Sequence, residues 1–342
     1  MMNNQQRVAA GIALGFGATL VAARLARSRH AISFENRVVV ITGGSRGLGL
    51  VMARMFADEG AKVAVLARDL DELERAHEDL DSRRGEVMTI RCDIRRRADV
   101  RAAIDQVIDR WHSVDVLVNN AGVIQVGPFD HMDHEDFENA MATHFWGPLN
   151  LMLEVTPIMQ HRGFGRIVNI ASIGGKIAVP HLTPYSASKF ALVGLSDGVR
   201  AELDRYGIRI TTVAPGLMRT GSPINATFKG RHEAEYAWFK VSSSIPGLTI
   251  SAERAARKII ESARYGDPEL TITPQAKAAA AANAVLPGLF ARLMMIADRL
   301  LPGPSSSAAA NRVQRGRESE SRWTPRVVTA LTDRAAVANN EV

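Results

Sequence analysis

Residues 37–50 read RVVVITGGSRGLGL, and this stretch decides the fold. Arg37–Thr42 is a short β-rich run with four consecutive apolar residues, the signature of a strand buried on both faces. It leads directly into Gly43-Gly44-Ser45-Arg46-Gly47-Leu48-Gly49, after which an amphipathic segment begins. Glycines let the chain turn tightly and let a phosphate approach the backbone. The start of the following helix offers unpaired N–H groups and partial positive charge. A glycine-rich loop alone says little; between a first strand and a first helix it predicts a dinucleotide site.

Working outward, the pattern repeats. Lys62–Leu66, Val87–Cys92, Val114–Asn119, Arg166–Ile170 and Ile208–Val213 read as further strands, with helical stretches such as Leu48–Asp58 and Leu70–Leu80 between them. Strand, helix and strand in alternation predict an α/β fold, a doubly wound parallel sheet of the Rossmann type, with a ligand at the carboxyl ends of the strands. This catalytic domain is expected over residues 35–270.

The end of the second strand discriminates between cofactors. Sites for NAD(H) place an acid there, about 20 residues beyond the glycine turn, to bond the ribose hydroxyls. Here the strand ends Leu66-Ala67-Arg68-Asp69, so an arginine follows where the acid is missing. Arg68 and Arg46 could clamp a 2′-phosphate through charge-assisted bonds, which favours NADP(H) over NAD(H). Asp69 is the competing feature, because one residue of misregister would set an acid near the ribose.

Bulk composition narrows the remaining classes. The 342 residues are 46% hydrophobic and 23% charged, as in a globular protein. The single cysteine, Cys92, excludes an internal disulfide framework, and no Cys/His cluster has metal-ligand spacing, so no metal is expected. A formal charge of +6 invites a nucleic-acid reading, but the arginines lie in separate groups and aromatics are only 6% of the chain. They do not interleave as stacking platforms would, so solvated faces and a basic tail are expected instead of nucleic-acid contact.

The ends differ from the middle. Residues 1–34 are read as an apolar N-terminal helix. Its uncharged run, residues 8–23, would be about 24 Å long as a helix, short of the ~30 Å hydrocarbon core, although residues up to 26 could extend it while Arg24 snorkels. Contact of residues 8–26 with a membrane is expected, against the alternative of a helix lying on the protein itself. Arg24, Arg27 and Arg29 would keep the downstream domain on the cytoplasmic face. Residues 271–302 are read as a helical extension, with Pro287–Leu301 carrying its apolar residues on roughly one face: an interfacial membrane helix, a dimer contact or a lid. Residues 303–342, rich in Ser, Ala, Asn and charge, are expected to be disordered.

The chemistry-bearing residues follow the fifth strand: Ser172, then Tyr185 and Lys189. Four residues apart on a helix, Tyr185 and Lys189 share a face. A free phenol titrates near 10. A neighbouring ammonium and a cationic nicotinamide favour the phenolate and bring it towards the working range. Ser172 could hold a substrate oxygen while Tyr185 exchanges its proton. Tyr-x-x-x-Lys on its own is common on surface helices; its meaning comes from its company.

With these pieces in order, the chain resembles the short-chain dehydrogenase/reductase family over about residues 35 to 270. The resemblance rests on Thr42–Gly49, Asp93, Asn119-Asn120-Ala121-Gly122, Ser172, Tyr185 with Lys189, and Pro215-Gly216 with Thr220. It implies that Gly43, Ser45, Arg46, Gly47, Leu48 and Gly49 meet the cofactor, Asp93 bonds the adenine, and Asn120, Ala121 and Gly122 flank the adenosine. Lys189 would also hold the nicotinamide ribose, and the loop of Pro215, Gly216 and Thr220 would fix the carboxamide. The family places an asparagine in the helix before the catalytic serine, where this chain has His144. Two readings stand: His144 keeps the backbone role and passes protons, or it only fills space.

The function implied is NADP(H)-dependent hydride transfer between nicotinamide and a carbonyl or alcohol. Val179, His181 and the stretch after Thr220, with Phe228, Tyr236, Trp238 and Phe239, would wall the pocket. Aromatics there suggest a lipophilic substrate such as a ketone, steroid, retinoid or acyl compound, although a simple core explains them equally. The rival class is a non-catalytic NADP(H)-binding sensor or membrane-tethered scaffold. The resemblance also suggests a homo-oligomer.

Overall fold

The computed structural model describes residues 27–320, 324 and 326–342. Its centre is a seven-stranded, all-parallel sheet: β1 (Val38–Thr42), β2 (Lys62–Ala67), β3 (Val87–Arg91), β4 (Val116–Asn119), β5 (Gly165–Ile170), β6 (Ile208–Pro215) and β7 (Glu269–Ile272). The spatial order is β7-β6-β5-β4-β1-β2-β3. The chain therefore winds outward from β1 to one edge, returns, and winds to the other. β1 and β4 lie side by side at the reversal, and the space above their carboxyl ends is where such sheets take ligands.

Side-chain alternation sends each strand into two cores. Val39 and Ile41 of β1 join Val63, Val65, Val116, Val118, Val168 and Ile170 under helices α1 (Gly47–Asp58) and α2 (Leu70–Asp81). Val38 and Val40 join Ala64, Leu66, Leu117, Ile167 and Ile210 on the opposite face, under α3 (Arg97–Trp111), α4 (Gly147–Arg162) and the end of α5 (Thr183–Leu203). Helix α6 (Ala252–Tyr265) completes the first layer through Ala255, Ala256, Ile259 and Ile260. Burial on both faces is why these strands read as unbroken apolar runs. β7, by contrast, is a four-residue edge strand with exposed Glu269, too short and polar to stand out in the sequence.

The helical extension consists of α7 (Pro274–Val285) and α8 (Pro287–Asp298). Helix α8 buries Phe290 and exposes Leu289, Leu293, Met295 and Ile296. Its last residue, Asp298, lies 3.6 Å from His181 Nε2, so the pair borders the loop between Ser172 and Tyr185.

Beyond it the expected disorder is replaced by structure. Gln314–Arg315 pairs with Thr227–Phe228, which in turn pairs with Gln125–Val126, and a last helix, α9 (Arg326–Ala338), follows. Composition underestimated this region because its order comes from docking. Thr329, Thr332, Ala336, Asn339 and Glu341 are buried against the rest of the chain, a gain that a local count of polar residues does not register. The apolar run of residues 8–23 lies outside the described residues. Among the described residues no helix is long and apolar enough to cross a membrane.

Candidate active site

β1 delivers the glycine turn to the carboxyl edge of the sheet. Gly43 has φ +61° and Gly47 φ +56°, and a Cβ on Gly49 would stand 2.1 Å from the Gly43 carbonyl oxygen. Only glycine permits that approach. Asn120 locks the end of β4 to this turn: its Nδ2 donates to the carbonyls of Thr42 and Gly43 at 3.0 Å each. The N–H groups of Asn120 and Ala121 both donate to Thr42 Oγ1. The side chain of Asn120 thus holds the floor of the site together.

Glycines and a helix N-terminus fit a dinucleotide phosphate, and one N–H of the turn already has an acceptor within the chain. Gly47 N–H donates to the carbonyl of Asn339 at 2.8 Å, and Glu341 packs onto Gly47. Ser45 and Leu48 are buried beside them. Arg46 is ion-paired with Glu72 at 2.7 Å and also donates to Asn225. Arg68 is exposed just past the end of β2. Asp69 is used otherwise: its carboxylate caps α2 by accepting from Glu72 N–H at 3.0 Å, the usual service of Asp at a helix start. One of its two carboxylate oxygens is thereby engaged within its own helix. Asp93 is held by Arg95, with a closest approach of 2.6 Å, and the arginine keeps its carboxyl below the ordinary range.

β5 and α5 assemble the second half. Ser172 follows β5, and its Oγ accepts from Gly174 N–H at 3.0 Å. Tyr185 and Lys189 lie on α5, the phenol beside Ser172 and the ammonium 5.7 Å from the Tyr185 ring centre. Lys189 Nζ donates to the Ile170 carbonyl at 2.8 Å. Burial pushes Lys189 down to about 7. Burial also raises Tyr185 above its ordinary value, with the Ser172 hydrogen bond acting against it. The expected depression of Tyr185 by its neighbouring ammonium is therefore not present here. Exclusion of water from the phenol is the larger of the effects that move it.

His144 sits in a π-helical turn, Ala142–Trp146, immediately before α4. That wider turn swings the ring inward to full burial. Its Nε2 accepts from Val123 N–H at 3.1 Å, so Nδ1 carries the proton and donates to Ser188 Oγ at 2.8 Å. Ser188 Oγ passes its own hydrogen to the Tyr185 carbonyl at 2.9 Å. Burial, reinforced by Lys189, holds His144 well below its ordinary value. Both nitrogens of this neutral ring are engaged, and neither faces a proton donor of the Tyr185 side chain. Gly122 leaves room for it, since a Cβ there would lie 3.1 Å from Nε2.

The loop after β6 brings Gly216 against Thr273, which a Cβ would meet at 2.7 Å, while Thr220 is buried and bonded to Ser222 Oγ at 2.7 Å. Pro215 closes β6 itself. Phe228, Tyr236 and Phe239 form a buried apolar cluster with Val126 and Leu182, against which Val179, Tyr185 and Trp238 pack. His181, at φ +62°, has Nδ1 2.9 Å from the buried Glu235 carboxylate, which also accepts from Trp238 Nε1. A small space of about 20 Å³, room for roughly one water, lies beside Tyr185 and is lined also by Gln125, Asp136 and Asn139.

Several of these partners were not legible in advance. Ser188 lies inside the Tyr-Ser-Ala-Ser-Lys run and could have been flagged by its spacing from Tyr185. Glu72, three residues after Asp69, carried a capping signal but none of its link to Arg46. No local signal marks Asn339–Glu341.

The sheet, the glycine turn at its switch point and the convergence of β5 with α5 define a dinucleotide-binding oxidoreductase class. The sequence pattern of the short chain dehydrogenase family matches residues 37–228, and the chain belongs to that family. The Danio rerio protein called dehydrogenase/reductase SDR family member 7B is 35% identical over 206 residues, 58% of this chain and 67% of that one. A solved short-chain dehydrogenase from Streptomyces avermitilis superposes with a TM-score of 0.65 at 28% identity, covering 79% of this chain and 98% of the other. A metagenomic short-chain oxidoreductase solved in complex with NADP gives 0.58 at 27% identity, covering 70% and 97%.

Proposed function

We propose that this chain transfers a hydride between NADP(H) and the carbonyl or alcohol of a lipophilic substrate, with Ser172, Tyr185 and Lys189 as the reacting group. The observation that carries this reading is the contact between Tyr185 and Ser172 at the end of β5, with the Lys189 ammonium 5.7 Å from the same ring. The dinucleotide, when bound, supplies or takes up the hydride. Ser172 Oγ orients the substrate oxygen by a hydrogen bond. Tyr185 Oη gives that oxygen its proton in reduction and takes it in oxidation. Lys189, brought by burial to about 7, can give up and regain a proton near neutrality and so reload Tyr185.

Cofactor choice rests on Arg68 and Arg46 beside the turn, on Asp69 being committed to its helix, and on the NADP complex of a structural relative. The lipophilic substrate rests on the apolar cluster against which Tyr185 packs. Val179 and Trp238 are the wall residues left partly accessible.

A screen of lipophilic ketones and alcohols with both nicotinamide cofactors, run alongside Tyr185→Phe, tests this reading. The expected result is turnover that falls by about 10²–10⁴-fold in the variant, with dinucleotide affinity retained. Unchanged turnover of a genuine substrate by Tyr185→Phe removes the mechanism. Dinucleotide binding without turnover of any such substrate favours a sensor.

A further inference from the structure

Helix α9 directs the end of this chain into the cofactor turn. It is anchored on His232–Ser242 and the residues just after, where Ser244 Oγ meets Thr332 Oγ1 at 2.7 Å and Lys240 meets Asp333 at 3.0 Å. Asn340 then adopts φ +58°, a left-handed conformation that asparagine tolerates better than most residues. The bend sets Asn340 Nδ2 on the carbonyls of Ser45 and Glu72 at 2.9 and 3.1 Å. The carbonyl of Asn339 accepts from Gly47 N–H at 2.8 Å, and the Glu341 carboxylate accepts from Gly221 N–H at 2.5 Å. Glu341 also fills the space in front of Gly47, its Oε1 3.1 Å from where a Cβ would stand.

Among these contacts the Asn339 carbonyl takes the Gly47 N–H, a donor that a phosphate at this turn would use. A carbonyl oxygen sits on the N–H at the start of α1, and a carboxylate bridges from there to the loop after β6. Gly47 N–H cannot serve Asn339 and a pyrophosphate oxygen together, and the side chain of Glu341 occupies the approach. The geometry points to an autoinhibitory contact: segment 339–341 is an intramolecular occupant of the phosphate cradle that must leave before the dinucleotide enters. This rests on the dinucleotide reading above. A chain whose cradle is free only a fraction of the time binds its cofactor more weakly by that fraction. Anything that draws α9 off residues 232–244 would raise affinity at the cradle without touching it.

The test uses the full chain and two readouts: the NADPH dissociation constant of the unaltered protein and of Glu341→Ala, and hydrogen exchange of backbone amides 326–342 with and without saturating NADPH. Glu341→Ala is expected to bind NADPH about tenfold tighter, and saturation is expected to raise exchange across 326–342 in the unaltered chain. Equal affinities, or exchange unmoved at saturation, overturn the contact while leaving the oxidoreductase reading intact. If neither protein binds NADPH or NADH, the dinucleotide reading fails and the contact with it.

Discussion

The ring of His144 stands edge-on to that of Tyr185, with centroids 5.3 Å apart and planes at 87°. With one nitrogen on Val123 N–H and the other on Ser188 Oγ, the histidine ties the strand-end segment 120–123 to the helix of Tyr185 and Lys189. We propose that it positions these segments and does not carry protons, a distinction that is measurable.

His144→Phe keeps the edge contact and removes both hydrogen bonds, leaving the part-buried Val123 N–H without its partner, at a cost of about 1 kcal/mol. The shape of the pH profile of kcat should not change, because a ring held well below its ordinary value does not titrate in the working range. The sign of the stability effect follows from linkage. The unfolded histidine takes a proton near 6.5 and the folded one does not, so stability present above 6.5 is lost on acidification. Its slope is about 1.4 kcal/mol per pH unit. Denaturant midpoints between pH 5 and 7 should show that slope in the unaltered chain and less of it in the variant. An unchanged slope would sink the assignment.

Lys189 gives a linkage in another window. Its folded value is about 7 against an ordinary 10.5. Between these limits the unfolded state holds a proton the folded state lacks, so its contribution to stability improves as pH rises from 7 to 10.5 and is poorest below 7. Lys189→Met should flatten the rise, read from urea midpoints at pH 7 and 9.5, and should abolish turnover. A variant with the same rise would show that the lysine stays charged when folded.

Arg68→Ala tests cofactor choice. The expected loss is tenfold or more for NADPH and under about twofold for NADH, since only the former offers a 2′-phosphate for a charge-assisted pair. Glu72→Gln, which frees Arg46 from its 2.7 Å ion pair, should strengthen NADPH binding. Equal losses for both cofactors in Arg68→Ala count against the clamp.

Docking of the 339–341 segment should depend on pH. Burial pushes Glu341 up to about 7, with the Gly221 N–H and Arg46 opposing the shift and Glu72 adding to it. A raised carboxyl means the docked state holds the proton more tightly. Docking is therefore firmest below the ordinary value near 4.5, weakens as pH rises to about 7, and is level above it. The dissociation constant of acid-stable NADP⁺ should improve more steeply from pH 5 to 7 in the unaltered chain than in Glu341→Gln. Parallel profiles would argue that the carboxyl stays ionised when docked.

Much of this molecule was legible because the signals are local. Strands buried on both faces show as Val-Val-Val-Ile and Val-Leu-Val, and the glycine turn follows its strand without a gap. A four-residue spacing suffices to put Tyr185 and Lys189 on one helix face. What failed to show were pairings made across the fold. Asp69 reads as an acid that misregister would set near the ribose; that it caps a helix is seen only in the fold. His144 reads as relay or filler until a π turn, the Val123 N–H and the Ser188 hydroxyl engage its ring.

The amino-acid order by itself determined the doubly wound sheet, the place of its phosphate turn and the Tyr185/Lys189 dyad, since each announces itself by a short-range pattern: apolar runs alternating with helical stretches, a glycine turn contiguous with its strand, and a four-residue spacing. Only the tertiary structure decided that Tyr185 is held above its ordinary value, and that Glu341, 294 positions beyond Gly47, lies against the turn (341 − 47). Desolvation and docking depend on what surrounds a group in space, and no local pattern encodes that.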